Sequence, residues 1–315
     1  MATTYQHIAD NKRRTWLLIL LFPIVFAALT WGAFLLLFGS AAVQDPGLSS
    51  MLLAVPGVCW AVACIWIAIS YFTGDKLLLN SADAIPVTKQ DQPEIYRLVE
   101  NLCMSRGLPL PRIYIMDDDS LNAFATGRDP QHASVALTKG IVQKLDRAEL
   151  EGVVAHELSH IENRDIRLML ITVAGISFFT FAGEMCFRIG LSHRYSRSNK
   201  NSGAGLFLIL GIICWVYGLF FAPLIRLAIS RKREYLADAT GALMTRNPQA
   251  LANALRKISY DSRVEALDKR ASMAAMCIEN PLEKTNLFSS LSGLLATHPP
   301  IEKRIAALEE MNRGY

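Results

Sequence analysis

His156-Glu157-Leu158-Ser159-His160 sets two imidazoles four residues apart with a carboxylate between them. Asp146 and Glu149 have capping-box spacing upstream, so a helix should begin near Asp146 and run through both histidines to about Asn163. Residues four apart on a helix lie one turn apart on the same face, where two imidazoles can converge on one zinc ion. Glu157 is rotated about 100° from His156 around the axis, so it flanks such a metal rather than binding it, as a base for an activated water must. Catalytic zinc sites take three protein ligands and keep one position open. The third ligand has to come from elsewhere, because Asn163 and Asp165 stand where a nearby third histidine would be needed. Arg231-Lys-Arg-Glu234-Tyr-Leu-Ala-Asp238 offers two carboxylates four apart on a second helical stretch. Glu234 has the character of a ligand, and Asp238 that of a partner for the second nitrogen of a ligand histidine. A solvated charged face would give the same pattern, and the residues alone leave both readings open.

Long apolar runs flank this helix on both sides. Trp16 to Phe38 and Met51 to Phe72 carry no charge, and at ~1.5 Å per residue each can cross a hydrocarbon core of about 30 Å. Leu168 to Phe187, with Glu184 near its end, and Leu206 to Ile225, with Pro223, have similar lengths. They are expected to cross as well, in preference to dipping in and returning as a hairpin. Lys12, Arg13 and Arg14 precede the first run, whereas Gly39 to Ser50 has no Lys or Arg. The N-terminus is therefore expected in the cytoplasm, with both soluble pieces on the same side. Arg188, Arg194, Arg197 and Lys200 after the third run oppose this reading locally.

The intervening segments have their own patterns. Pro93 opens a helix on which Ile95, Leu98, Val99 and Leu102 share a face, and Gly107 can close it. Arg112 to Met116, Leu121 to Gly127 and Ala133 to Thr138 read as short strands. Arg226 to Met244, Gln249 to Ser259 and Ile301 to Met311 read as helices, the last preceded by Thr297-His298-Pro299-Pro300. Glu265 to Ser292 shows few signals.

The 315 residues are 52% hydrophobic and 19% charged, against roughly 45–50% and 25% in soluble domains, and the four runs account for the excess. A net charge of +4 with no basic stripe interleaved with aromatics argues against nucleic acid as a partner. No G-x-x-x-x-G-K-[ST] segment occurs, so no nucleotide is expected. Six scattered cysteines without a C-x-x-C pair indicate neither a disulfide framework nor a cysteine zinc site.

Val154-Ala-His-Glu-Leu-Ser-His-Ile-Glu-Asn-Arg-Asp165, Ser230-Arg-Lys-Arg-Glu-Tyr-Leu-Ala-Asp238 and Leu121-Asn-Ala-Phe-Ala-Thr-Gly127 together resemble the HtpX-type membrane metallopeptidases, relatives of the CAAX prenyl endopeptidases and the Oma-type proteases. The resemblance covers nearly the whole chain. It implies one zinc per chain held by His156, His160 and Glu234, with Glu157 as base and Asp238 supporting a ligand. It implies that Asn122 and Ala123 lie on an edge strand that pairs with the substrate backbone. It also implies that His298 helps hold the oxyanion; Arg304 would assist there or simply cap the last helix. The fold so implied is mainly α with a small β-sheet: a zincin-like cytoplasmic catalytic domain combined with a bundle of about four transmembrane helices. Its parts are an N-terminal tail and membrane hairpin (1–73), a first catalytic piece (74–167), a second membrane pair (168–225) and a second catalytic piece (226–315). The function so implied is cleavage of misfolded or damaged membrane proteins in the bacterial inner membrane, with contact to lipid and with self-cleavage. The rival readings are a CAAX-type endopeptidase acting on prenylated tails, an inactive zinc-binding membrane scaffold and a zinc-dependent sensor. The intact His156, Glu157, His160 and Glu234 weigh against the scaffold.

Overall fold

In the computed structural model, which describes residues 4–195, 207–208, 210–215, 231–260, 277–278 and 299–313, the first three apolar runs lie within long helices. These are α1 (Thr4–Ala42), α2 (Pro46–Ser81) and, beyond the histidine motif, α6 (Asp165–Tyr195). Among the described residues three helices are long and apolar enough to cross a membrane: Ile8–Leu36, Pro46–Ser81 and Asp165–Ser192. The fourth expected run, Leu206 to Ile225, lies outside the described residues except for 207–208 and 210–215, which are helical.

The chain divides into two compact units. One holds residues 13–71 and 171–224. Its interior is aromatic: Phe22 and Phe26 meet Phe178 and Phe179 edge to face, with Ala63, Ile67 and Cys214 packed around them. Trp66 donates its indole N–H to the carbonyl of Ala174 at 3.0 Å. Leu20, Leu36, Val58, Ile65 and Phe181 turn outward, the expected arrangement where lipid rather than water surrounds the helices.

The other unit holds residues 1–12, 72–170 and 225–315. It carries a four-stranded sheet, β1 (Ala84–Pro86), β2 (Arg112–Met116), β3 (Ala123–Gly127) and β4 (Ala133–Thr138), in the spatial order β1-β2-β4-β3. β2 and β4 run parallel, and the outer strands are antiparallel to their neighbours. The three expected strands are present. β1 was not anticipated, because three residues are too few for alternation to register. The helix over α3 (Pro93–Arg106) buries Ile95, Leu98, Val99 and Leu102, and Gly107 closes it in the left-handed conformation at φ 64°.

α4 (Lys139–Lys144) leads into α5 (Arg147–Glu162), whose start has the full reciprocal capping box between Asp146 and Glu149. The motif helix does not run on into the third apolar run. Arg164, at φ 61°, breaks it, and α6 starts afresh at Asp165. α7 (Arg231–Thr245), α8 (Pro248–Tyr260) and α9 (Ile301–Arg313) complete the unit.

α7 lies close against α5. A methyl group on Gly241 would sit 3.0 Å from the backbone nitrogen of His156 and 3.2 Å from its Cα. Because those neighbours are backbone, they cannot swing aside. Gly241→Ala is therefore expected to push the two helices apart and to cost stability of about 1–3 kcal/mol, the usual range for overpacking. Thermal unfolding of the detergent-solubilised protein checks this. An unchanged midpoint would mean that the crossing accommodates the extra carbon.

Candidate metal centre

α5 and α7 bring together the side chains that the sequence separates by more than seventy positions. Nε2 of His156 lies 3.2 Å from Nε2 of His160. Oε1 of Glu234 is 3.6 Å from His160 Nε2, and its Oε2 is 4.0 Å from His156 Nε2. One ligand atom from each of the three residues lies within 4.8 Å of the other two. Around a tetrahedral zinc with bonds of roughly 2.0–2.2 Å, ligand atoms sit about 3.3–3.5 Å apart. The two nitrogens and the carboxylate fit that ion with small side-chain adjustments.

Each histidine is held from behind by a carboxylate. Nδ1 of His160 hydrogen-bonds Oδ2 of Asp165 at 3.0 Å, and Nδ1 of His156 lies 3.0 Å from Oδ1 of Asp238. A proton retained on Nδ1 leaves Nε2 as the free lone pair, so these carboxylates select the tautomer a metal needs. Asp165 is itself anchored. It accepts from Asn11 Nδ2 at 2.7 Å, and Asn11 Oδ1 accepts in turn from Arg233 at 3.1 Å. Asp238 receives both Nε and Nη2 of Arg304, at 2.8 and 2.7 Å. Arg304 is completely buried, and its Nη1 lies 3.7 Å from Oε2 of Glu234. It is therefore much more than a cap for the last helix.

Burial raises the Glu157 carboxyl above its usual range, opposed by the neighbouring His156 and His160 imidazoles and reinforced by Glu234. Burial would push Asp238 up too, but Arg304 overrides it and holds that carboxyl down at about 2. For His160, burial works against the charged ring. The hydrogen bond to Asp165 and the charges of Glu234, Asp165 and Glu157 outweigh it and carry the imidazole up to about 9. The sign of the consequence is fixed. Below that pH the metal-free ring holds a proton on the nitrogen a metal requires. Metal uptake at neutral pH is thus expected to release about one proton from His160. Apparent affinity should rise with pH and level off once the ring is neutral. Calorimetric titration in buffers of different ionisation heat counts those protons; none released would contradict the proposed part of His160.

Asn122 and Ala123 are also buried. β3 is an outer strand of the sheet, and Asn122 bonds Thr138 with both its main-chain N–H and its C=O. Ala123, the next residue, turns its own groups outward. Its N–H donates to Asn122 Oδ1 at 3.0 Å, and its C=O accepts from the Ile278 N–H at 2.9 Å. His298 lies outside the described residues. Reading the sequence passed over Asp165, Asn11 and Arg233. Only the carboxylate of Asp165, five positions after His160, carried a signal, and a five-residue spacing does not share a face with His160 on a regular helix.

The family described as Peptidase family M48 matches residues 89–312. A protease HtpX homologue of Bacteroides fragilis is 45% identical, covering 95% of this chain and 96% of that protein. One from Ligilactobacillus salivarius is 42% identical over 98% of this chain and 99% of its own length. Among solved structures, the crystal structure of S. mikatae Ste24p aligns with 93% of this chain and 66% of its own, at 19% identity and a TM-score of 0.49.

Proposed function

The chain belongs to peptidase family M48, and from that premise we propose that it is a membrane-integrated zinc endopeptidase whose metal is held by His156, His160 and Glu234. The observation that carries this reading is the convergence of those three side chains beside the buried carboxyl of Glu157. Bound zinc would supply Lewis acidity, polarising the scissile carbonyl and lowering the pKa of water. Glu157 takes a proton from the attacking water and passes it to the leaving amine nitrogen. A carboxyl raised by burial holds a proton more readily than an exposed one, which suits the accepting half of that task. Asp165 and Asp238 keep the imidazoles oriented, and Arg304 keeps Asp238 ionised. An extended substrate adds to the outer edge of β3 at Ala123, where main-chain bonds give affinity with little demand on sequence; Asn122, whose own main chain bonds Thr138, sets that edge through its side chain. His298 is assigned to the oxyanion on the strength of the family resemblance alone.

Misfolded or damaged membrane proteins are the substrates this design suits. A site that reads backbone needs an unfolded segment, and the membrane helices keep the enzyme beside such substrates. A bacterial inner membrane location, with N-terminus and active site in the cytoplasm, completes the proposal. The zinc-loaded chain, purified in detergent, is expected to cleave an unfolded protein such as casein, to stop when a chelator strips the metal, and to resume when zinc is restored. Cleavage indifferent to the chelator would overturn the metal-dependent mechanism.

A further inference from the structure

Cys277 and Ile278 are both buried, at 0% and 2% exposure, beside the metal centre. Ile278 is gripped at both ends of its main chain. Its N–H donates to the outward carbonyl of Ala123 on the edge of β3 at 2.9 Å. Its C=O accepts from Arg304 Nη1 at 3.0 Å, the same guanidinium that pairs with Asp238 and approaches Glu234. The Cys277 thiol lies within the electrostatic reach of Glu157 and Asp118, and burial, more than either charge, keeps it protonated.

We propose that the dipeptide Cys277–Ile278 occupies the peptide-binding edge of this protein's own active site, and that it must leave before a substrate strand can pair with β3. The inference rests on the peptidase reading above. A strand added to β3 opposite Ala123 bonds the same carbonyl that Ile278 now uses, and neighbouring strands lie about 4.8 Å apart, with room for one chain only. The occupancy is partial: the Ile278 carbonyl goes to Arg304 rather than to Ala123, whose N–H is already met by the Asn122 side chain. One ladder bond and one bond to a guanidinium make a latch that a longer substrate strand, offering several ladder bonds, can displace. The resting protein is thus held back, and unfolded chain both opens the site and fills it.

Ile278→Pro tests this, because proline has no N–H to give Ala123. Two rates are read on full-length protein loaded with zinc in detergent. The first is alkylation of Cys277 by N-ethylmaleimide, followed peptide by peptide in the mass spectrometer, so that the other cysteines can stay in place. The second is cleavage of casein. In Ile278→Pro both are expected to rise at least tenfold over wild type. Cys277→Trp, too bulky for a fully buried position, should evict the dipeptide with its main-chain donor intact, and should raise cleavage likewise. Alkylation at the wild-type rate in Ile278→Pro would show that the Ala123 bond does not hold the segment. Faster alkylation in Ile278→Pro, with cleavage unchanged in both Ile278→Pro and Cys277→Trp, would show that the segment is held there but gates nothing. Either result overturns the proposal and leaves the peptidase reading standing. No cleavage by any of the three proteins would overturn the peptidase reading, and the gate with it.

Discussion

Glu157→Gln is expected to lower casein cleavage by roughly 10²–10⁴-fold while leaving bound zinc at one per chain. The factor is what a positioned general acid–base group contributes. Glutamine keeps the shape of the side chain and cannot accept a proton, so the substitution removes the transfer and little else. Metal should stay, because Glu157 sits beside the ligand atoms rather than among them, and the three ligands on α5 and α7 are untouched. The fold should also tolerate the change. Glu157 is 2% exposed, and burial already penalises its charge, so a neutral amide of equal size removes a cost. Zinc content by atomic absorption and cleavage rates on the same preparations decide the matter. If zinc is lost along with activity, Glu157 is a ligand and not the base. If activity persists, the proton is taken by another group, and the chemistry assigned to α5 is wrong.

How far the sequence led depended on whether the signal was local. The histidine pair was legible because a helix turns a four-residue spacing into a shared face, and Asp146 with Glu149 announced where that helix starts. The membrane helices were legible because a run without charge needs no partner to be recognised. Glu234 and Asp238 could not be told from a solvated charged face by their own segment. What distinguishes them is which carboxylate faces Nε2 and which faces Nδ1 of His156, a fact created by the approach of α7 to α5 at Gly241. Arg304 was ambiguous for the same reason. It is an unremarkable basic residue on an exposed-looking helix until packing places it, fully buried, against Asp238. The support of His160 by Asp165 was missed because it depends on a chain break at Arg164, where a non-glycine residue takes a left-handed conformation that no local pattern announces.

Glu234→Gln separates the two carboxylates of α7 by function. Two neutral imidazoles give a metal no charge to neutralise it, so Glu234 supplies the only anion among the proposed ligands. Removing it is expected to weaken zinc binding by well over the roughly 10–100-fold that follows loss of a supporting partner. Asp165→Asn and Asp238→Asn, which act through the histidines, should stay within that smaller range. Asp238→Asn should carry a further penalty in stability, because it leaves the Arg304 guanidinium buried with its main counter-charge gone, a loss of about 3–5 kcal/mol when such a pair is broken. Competition with a chromophoric chelator ranks the affinities, and thermal unfolding of the metal-free proteins reads the stability separately. If Asp238→Asn loses more zinc than Glu234→Gln, the ligand and support roles of the two carboxylates are reversed. If the two lose equally little, the metal is held by the histidines and a ligand from outside α7. Weak binding in Glu234→Gln with an otherwise stable fold would single out Glu234 as the third ligand, the one the histidine motif cannot supply from its own helix.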